Sequence, residues 1–152
     1  MKTPTRLAVH LLLLVAVSAS WAEDWPTYQH DMARSGVSGE QLVMPLSRQW
    51  LHQPSAPPKA AWADPQPIAV EGVLEPPKVK FDDAFYTTSA AGLVFYGSST
   101  QNYVCALDAA SGQVRWRVIV DGPVRLAPVY DQGRLYFGSD DGYLYCVSAA
   151  DG

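Results

Sequence analysis

The chain has 152 residues, 48% of them hydrophobic and 17% charged, with a formal net charge of -4 at pH 7. That composition excludes a disordered chain and suits one domain, and the acidic balance excludes a basic nucleic-acid-binding surface. Pro (12) and Gly (11) favour a turn-rich all-β chain over a helical bundle, two Cys are too few for a disulfide scaffold, and the three His, at 10, 30 and 52, are too scattered for a metal cluster.

Lys2 and Arg6 precede the apolar run Leu11 to Val17. Ser20-Trp21-Ala22 then places small residues three before and one before a cut between Ala22 and Glu23. A charged, then apolar, then small-residue pattern is that of a secretory signal peptide, here residues 1–22. Leu7 to Ala22 is short of the roughly 20 residues that a span needs, so no stable membrane anchor is expected. No Cys stands beside the cut to carry a lipid. Cleavage removes Lys2 and Arg6 but no acid, and the expected product is an acidic protein exported to the periplasm or the extracellular space.

Residues 23–53 open with EDWPTYQHDMARSGVS and close with PLSRQW before a short polar tail. Trp25, Tyr28, Leu46 and Trp50 are the residues to bury, and Leu46 to Leu51 reads as a short strand. Residues 54–80 form a Pro-rich connector containing Pro54, Pro57, Pro58, Pro65, Pro67, Pro76 and Pro77. Each Pro removes a ladder donor and restricts the residue before it, so regular structure is not expected there. The connector reads either as an exposed linker or as an ordered loop pinned by Trp62.

Residues 81–152 are rich in strand signals. Phe85 to Ser89, Leu93 to Gly97, Tyr103 to Leu107 and Val114 to Val120 are runs of β-formers. Ala91-Gly92, the polar stretch 98–102 and Asp108 to Gly112 separate them as turns. After Asp121-Gly122-Pro123 the cycle restarts at Val124. AGLVFYGSSTQNYVCALDAASG (residues 91–112) matches QGRLYFGSDDGYLYCVSAADG (residues 132–152): Gly92 with Gly133, Gly97 with Gly138, Ser98 with Ser139, Tyr103 with Tyr143, Ala109 with Ala149 and Gly112 with Gly152. A period of about 40 residues with four strands per unit indicates propeller blades. The predicted fold is all-β: an incomplete β-propeller, with about one full four-stranded blade plus three strands of the next, preceded by the signal peptide and the Pro-rich connector.

Ala106-Leu-Asp-Ala-Ala-Ser-Gly-Gln-Val-Arg-Trp116 resembles the A-x-D-x-x-x-G-x-x-x-W motif of the pyrroloquinoline-quinone-like (PQQ-like) β-propeller repeat family. Leu135 to Tyr145 looks like the same family's hairpin between second and third strands, and residues 24–38 are similar to the opening of many secreted members. The resemblance implies the N-terminal portion of an exported propeller. It does not name a function, because the family includes quinone-dependent dehydrogenases, an outer-membrane assembly scaffold and many uncharacterised propellers. Ala106, Asp108, Gly112 and Trp116 read as a structural repeat motif. Gly112 suits a turn of positive φ, Asp108 can accept backbone N–H bonds there, and Trp116, by resemblance, docks between blades. The second repeat departs from the motif with Ser148 in place of Asp108, and it carries no Trp or fourth strand. A propeller takes about four to eight blades, so this chain alone is expected not to close one; it reads as the start of a longer protein or as a truncated frame. Leu46 to Trp50 then reads as a strand that completes a last blade.

Cys105 aligns with Tyr145 and Cys146 with Ala106, one residue out of step. The two thiols are therefore expected on opposite faces, unbridged and buried. Two function classes follow: an exported non-catalytic scaffold or binding module, whose partners are proteins or the rest of the propeller, and the N-terminal fragment of a quinone-dependent dehydrogenase. By resemblance, the enzyme needs acids and amides for calcium and quinone, a catalytic Asp and often a vicinal Cys-Cys pair. The chain has no Cys-Cys pair, and Asp82, Asp83, Asp140 and Asp141 fall in turns, where acids are usually solvated. No catalytic residue, cofactor or metal site is expected.

Overall fold

The computed structural model describes residues 22–61, 68–75 and 84–152. The residues before Ala22, where a signal peptide is expected, together with Trp62, Asp82 and Asp83, lie outside the described residues. Among those described there is no helix and there are nine strands: β1 (Ile68–Val70), β2 (Val73–Glu75), β3 (Thr87–Ala90), β4 (Leu93–Ser98), β5 (Tyr103–Asp108), β6 (Val114–Ile119), β7 (Val129–Asp131), β8 (Arg134–Gly138) and β9 (Leu144–Ser148). They form a hairpin, a four-stranded antiparallel meander β3-β4-β5-β6 and a three-stranded meander β7-β8-β9. The meanders are one complete blade and three strands of the next, an incomplete propeller.

Turn chemistry sets the registers. Ala91-Gly92 and Gln132-Gly133 both carry positive φ (52° and 74°; 45° and 82°), the two-residue hairpin turn whose twist matches the strands. The turns place Ala90 opposite Leu93 and Asp131 opposite Arg134. Beyond each sheet's third strand the chain folds back in the same way. Gly112 N–H bonds Asp108 C=O at 2.8 Å and Gly152 N–H bonds Ser148 C=O at 2.9 Å. The Asp-to-Ser change thus leaves the backbone turn intact.

The first sheet is covered on both faces, which is why β4 and β5 are buried almost throughout. On one face Ala90, Phe95, Val104 and Ala106 meet Leu135, Phe137 and Ala149 of the second sheet in one core. Thr88 Oγ1 donates to Pro128 C=O at 2.9 Å across that boundary, so this buried hydroxyl is satisfied. On the other face Tyr96, Tyr103, Cys105 and Leu107 are covered by Trp50 and Phe85.

Residues 46–51 pair with no strand among the described residues, so the expected blade-closing strand stands without a described partner. Three expectations are corrected. The expected connector holds a regular hairpin, β1 to β2. Its prolines flank residues 68–75 without entering them, and Glu71-Gly72 supplies the positive-φ turn (51° and 79°). Cys105 is buried, but Cys146 is exposed, because it lies on the face of the second sheet turned away from the first. Both thiols are free. Tyr28 and Leu46, expected to bury, are 52% and 64% exposed.

Candidate functional site

The surfaces able to engage another molecule are assembled around two tryptophans. Trp116 leaves β6 and lays its indole on the second sheet, where Nε1–H donates to Ala149 C=O at 3.1 Å. Gly152 lies beneath the ring; a Cβ added there would stand 3.3 Å from it. Trp50 repeats this arrangement one sheet earlier. Its Nε1–H donates to Ala109 C=O at 2.9 Å, and a Cβ on Gly112 would fall 2.5 Å from the indole. Gly112 also has φ 71°, so its lack of a side chain is required twice, by the turn and by the ring. Asp108 organises that turn: one carboxylate oxygen accepts Ala110 N–H, Ser111 N–H and the Ser111 hydroxyl. The Ser111 bonds hold its carboxyl below the usual aspartate range. Ala106, fully buried, faces Trp116 across the β5–β6 pair.

Trp50 was expected as a residue to bury and as the end of a blade-completing strand; its docking on the Ala109 turn is new. A signal was present: Trp50 and Trp116 each follow an Arg within two residues, and each is followed by a run ending in Pro, at 57 and 123. The structure uses the two prolines alike, since Pro57 C=O accepts Thr100 Oγ1 at 2.6 Å and Pro123 C=O accepts Asp140 N–H at 2.9 Å. Beyond Trp50 the chain runs as a strap over the first sheet, with residues 51–60 alternately exposed and half-buried. Lys59 N–H is held by Ser99 Oγ at 2.8 Å, and Lys59 C=O accepts Arg125 at 2.7 Å.

Under the strap, between Trp50, His52, Phe85, Val94, Tyr96 and Leu107, lies a cavity of about 170 Å³. Its walls are apolar and its far end is polar. His52 Nε2 lies 3.0 Å from the Tyr96 hydroxyl, which is 3.3 Å from that of Tyr103; Tyr103 in turn donates to Gln101. Burial lowers the pKa of His52, and nearby Arg117 adds to the effect. Burial, followed by the Tyr103 bond, pushes the Tyr96 phenol upward. Both side chains are therefore neutral at pH 7, and the site is an apolar slot with hydrogen-bonding groups at its end.

A second feature clasps the two blades. Trp25 exchanges both backbone hydrogen bonds with Ser89 of β3, at 2.7 and 2.9 Å, while Tyr130 N–H of β7 bonds Pro26 C=O at 2.8 Å. The Asp24 carboxylate caps Ala91 N–H. His30 packs 4.9 Å from the Trp25 ring, with Nε2 3.3 Å from Glu23.

Of the acids singled out in the sequence, Asp140 and Asp141 have structural partners, and Asp82 and Asp83 lie outside the described residues. Asp140 pairs with Arg125 at 2.7 Å. Asp141 accepts Asp121 N–H, Tyr143 N–H and the Tyr145 hydroxyl, which raises the Tyr145 phenol to about 12. No group of three or more His, Cys, Asp or Glu able to hold a metal occurs among the described residues.

The model of the family described as outer membrane protein assembly factor BamB, a PQQ-type repeat, matches residues 46–152. The chain belongs to this family. The match begins at Leu46, so it takes in the strap and Trp50 as well as both blades. No curated protein matches the chain.

Proposed function

We propose that the chain acts outside the cytoplasm as a non-catalytic binding module, joining proteins through the faces and edges of its blades. The observation that carries this reading is the engagement of its acids: Asp108, Asp140 and Asp141 accept bonds from turns, an arginine and a tyrosine. A carboxylate tied into a turn is a poor candidate for the six to eight oxygen ligands of calcium. The family's namesake is described as an assembly factor, which is protein-binding work. The cut after Ala22 supports export, and the domain plan is residues 1–22 as signal peptide, 23–53 as a segment bearing a blade-closing strand, 54–80 as connector and 81–152 as blades. Isothermal titration of the exported chain with calcium and with the quinone tests the non-catalytic part. No binding is expected; stoichiometric binding tighter than about 10 μM, near −7 kcal/mol, would replace this reading with the dehydrogenase fragment.

A further inference from the structure

The residues that follow the expected cut are engaged from the first one onward. Asp24 caps Ala91 N–H, Trp25 exchanges both backbone bonds with Ser89, and Pro26 C=O accepts Tyr130 N–H at 2.8 Å. Glu23 is held just before them. Its carboxylate accepts the Ser38 hydroxyl and Gly39 N–H, the latter at 3.1 Å, and lies 3.3 Å from His30 Nε2. Its backbone N–H donates to Glu40 Oε2 at 3.3 Å, and Glu40 N–H is in turn held by Ser38 Oγ at 3.0 Å. Glu23 and residues 38–40 thus join the two ends of segment 23–40.

That segment is short of positive charge. It carries Glu23, Asp24, Asp31 and Glu40 against Arg34 as its one Lys or Arg. Asp31 accepts both the N–H and the hydroxyl of Ser35, and Asp24 is occupied by Ala91. Arg34 lies over the Tyr28 ring, 5.8 Å from its centroid. Among the described residues no Lys or Arg pairs with Glu40, whose carboxylate instead takes the Glu23 N–H.

Hydrolysis of the Ala22–Glu23 bond adds one water. Ala22 leaves with a carboxylate, and the Glu23 nitrogen becomes an amine that is mostly an ammonium at pH 7. The atom that gives Glu40 one neutral N–H then carries a positive charge and three donors, and its bond to the carboxylate becomes charge-assisted. We propose, on the cut proposed above, that the ammonium freed at Glu23 is the counter-ion of Glu40 and locks segment 23–40 once the leader is removed. A leader left in place denies the segment that charge. On a chain that retains Ala22 the amine stands one residue further out, about 3.8 Å along the backbone, and misses the contact. The lock bears on the blades because the same segment carries the Trp25 clasp on β3 and β7.

Mass analysis of the secreted chain tests the cut: a first residue other than Glu23 removes the cut and the proposal with it. Titration bears on the proposal alone. Chains beginning at Glu23 and at Ala22 are prepared with and without Glu40→Gln, and the α-amine is titrated by nuclear magnetic resonance. In the chain beginning at Glu23 the amine should titrate above the ordinary value of about 7.7–8.0, and Glu40→Gln should lower it by about 0.3 or more. In the chain retaining Ala22, Glu40→Gln should leave it unchanged. The Glu23 carboxylate, Asp24 and His30 are present in all four chains, so the difference isolates Glu40. No shift in either chain, or the same shift in both, overturns the proposal. Trypsin should also cut after Arg34 about twofold or more slowly in the chain beginning at Glu23 than in the chain retaining Ala22, and equal rates overturn the lock. Glu40 is exposed, so Glu40→Gln should leave the far-UV circular dichroism unchanged, and the trypsin comparison needs no substitution.

Discussion

At the scale of single residues, the two indoles and the glycines beneath them hold the blades in place. Trp116→Ala removes a ring packed on the second sheet and its bond to Ala149, and should cost about 3–5 kcal/mol by denaturant unfolding. A loss below about 1 kcal/mol would mean the ring is not docked. Gly112→Ala combines a left-handed backbone penalty of about 1–2 kcal/mol with an overpacking cost of about 1–3 kcal/mol against Trp50. Gly133→Ala also stands at positive φ but meets open space, so it should show only the first of these costs. His52 makes stability pH-dependent. Its pKa is held below the ordinary 6.5, so near pH 6 the unfolded chain binds more protons than the native one. Stability should therefore be complete above about pH 6.5 and fall as the pH drops from there toward the native value. In thermal melts across that window His52→Gln should flatten the fall; an unchanged profile would show that burial beside Arg117 does not hold the native imidazole neutral.

At the scale of elements, β4, β5, β6 and the turns between them were readable because each run of β-formers ends in a residue with one conformational reason to be there. Gly92 and Gly133 complete positive-φ turns, and Asp108 caps its own loop. The strap was harder to read. Leu46 to Leu51 looks like a strand by composition, but composition does not report whether a partner lies alongside. The hairpin β1 to β2 was missed for the opposite reason: counting prolines over residues 54–80 hid a Pro-free stretch in which Glu71-Gly72 turns the chain. The strap's attachment rests on Trp50, Lys59 and Thr100. Trp50→Ala should therefore speed limited proteolysis within residues 51–60 by about tenfold or more, equivalent to about 1.4 kcal/mol of easier local opening, while β7 to β9 keep their protection. Cleavage unchanged by the substitution would show that the other anchors suffice.

At the scale of the molecule, the repeat was legible and the surfaces were not. A period of about 40 residues disclosed the blades, and the shared glycines disclosed their equivalence. Sequence similarity alone did not show that Trp50 belongs to the same series as Trp116, because the intervening strap conserves little beyond Trp, Pro and a basic residue (Lys59 and Arg125). Nor did it show that residues 24–30 reach β3 and β7 together, a long-range contact that leaves no local pattern. The account stands on one structural claim: successive units are joined by a tryptophan whose indole N–H is held by the next unit's turn. Nuclear magnetic resonance of the chain tests it most directly, with the indole signals assigned by single Trp→Phe substitutions. The Trp50 and Trp116 indole N–H protons should exchange slowly and show Overhauser contacts to residues 109–112 and 149–152 respectively. Rapid exchange at both indoles, with no contact to either turn, would contradict the account.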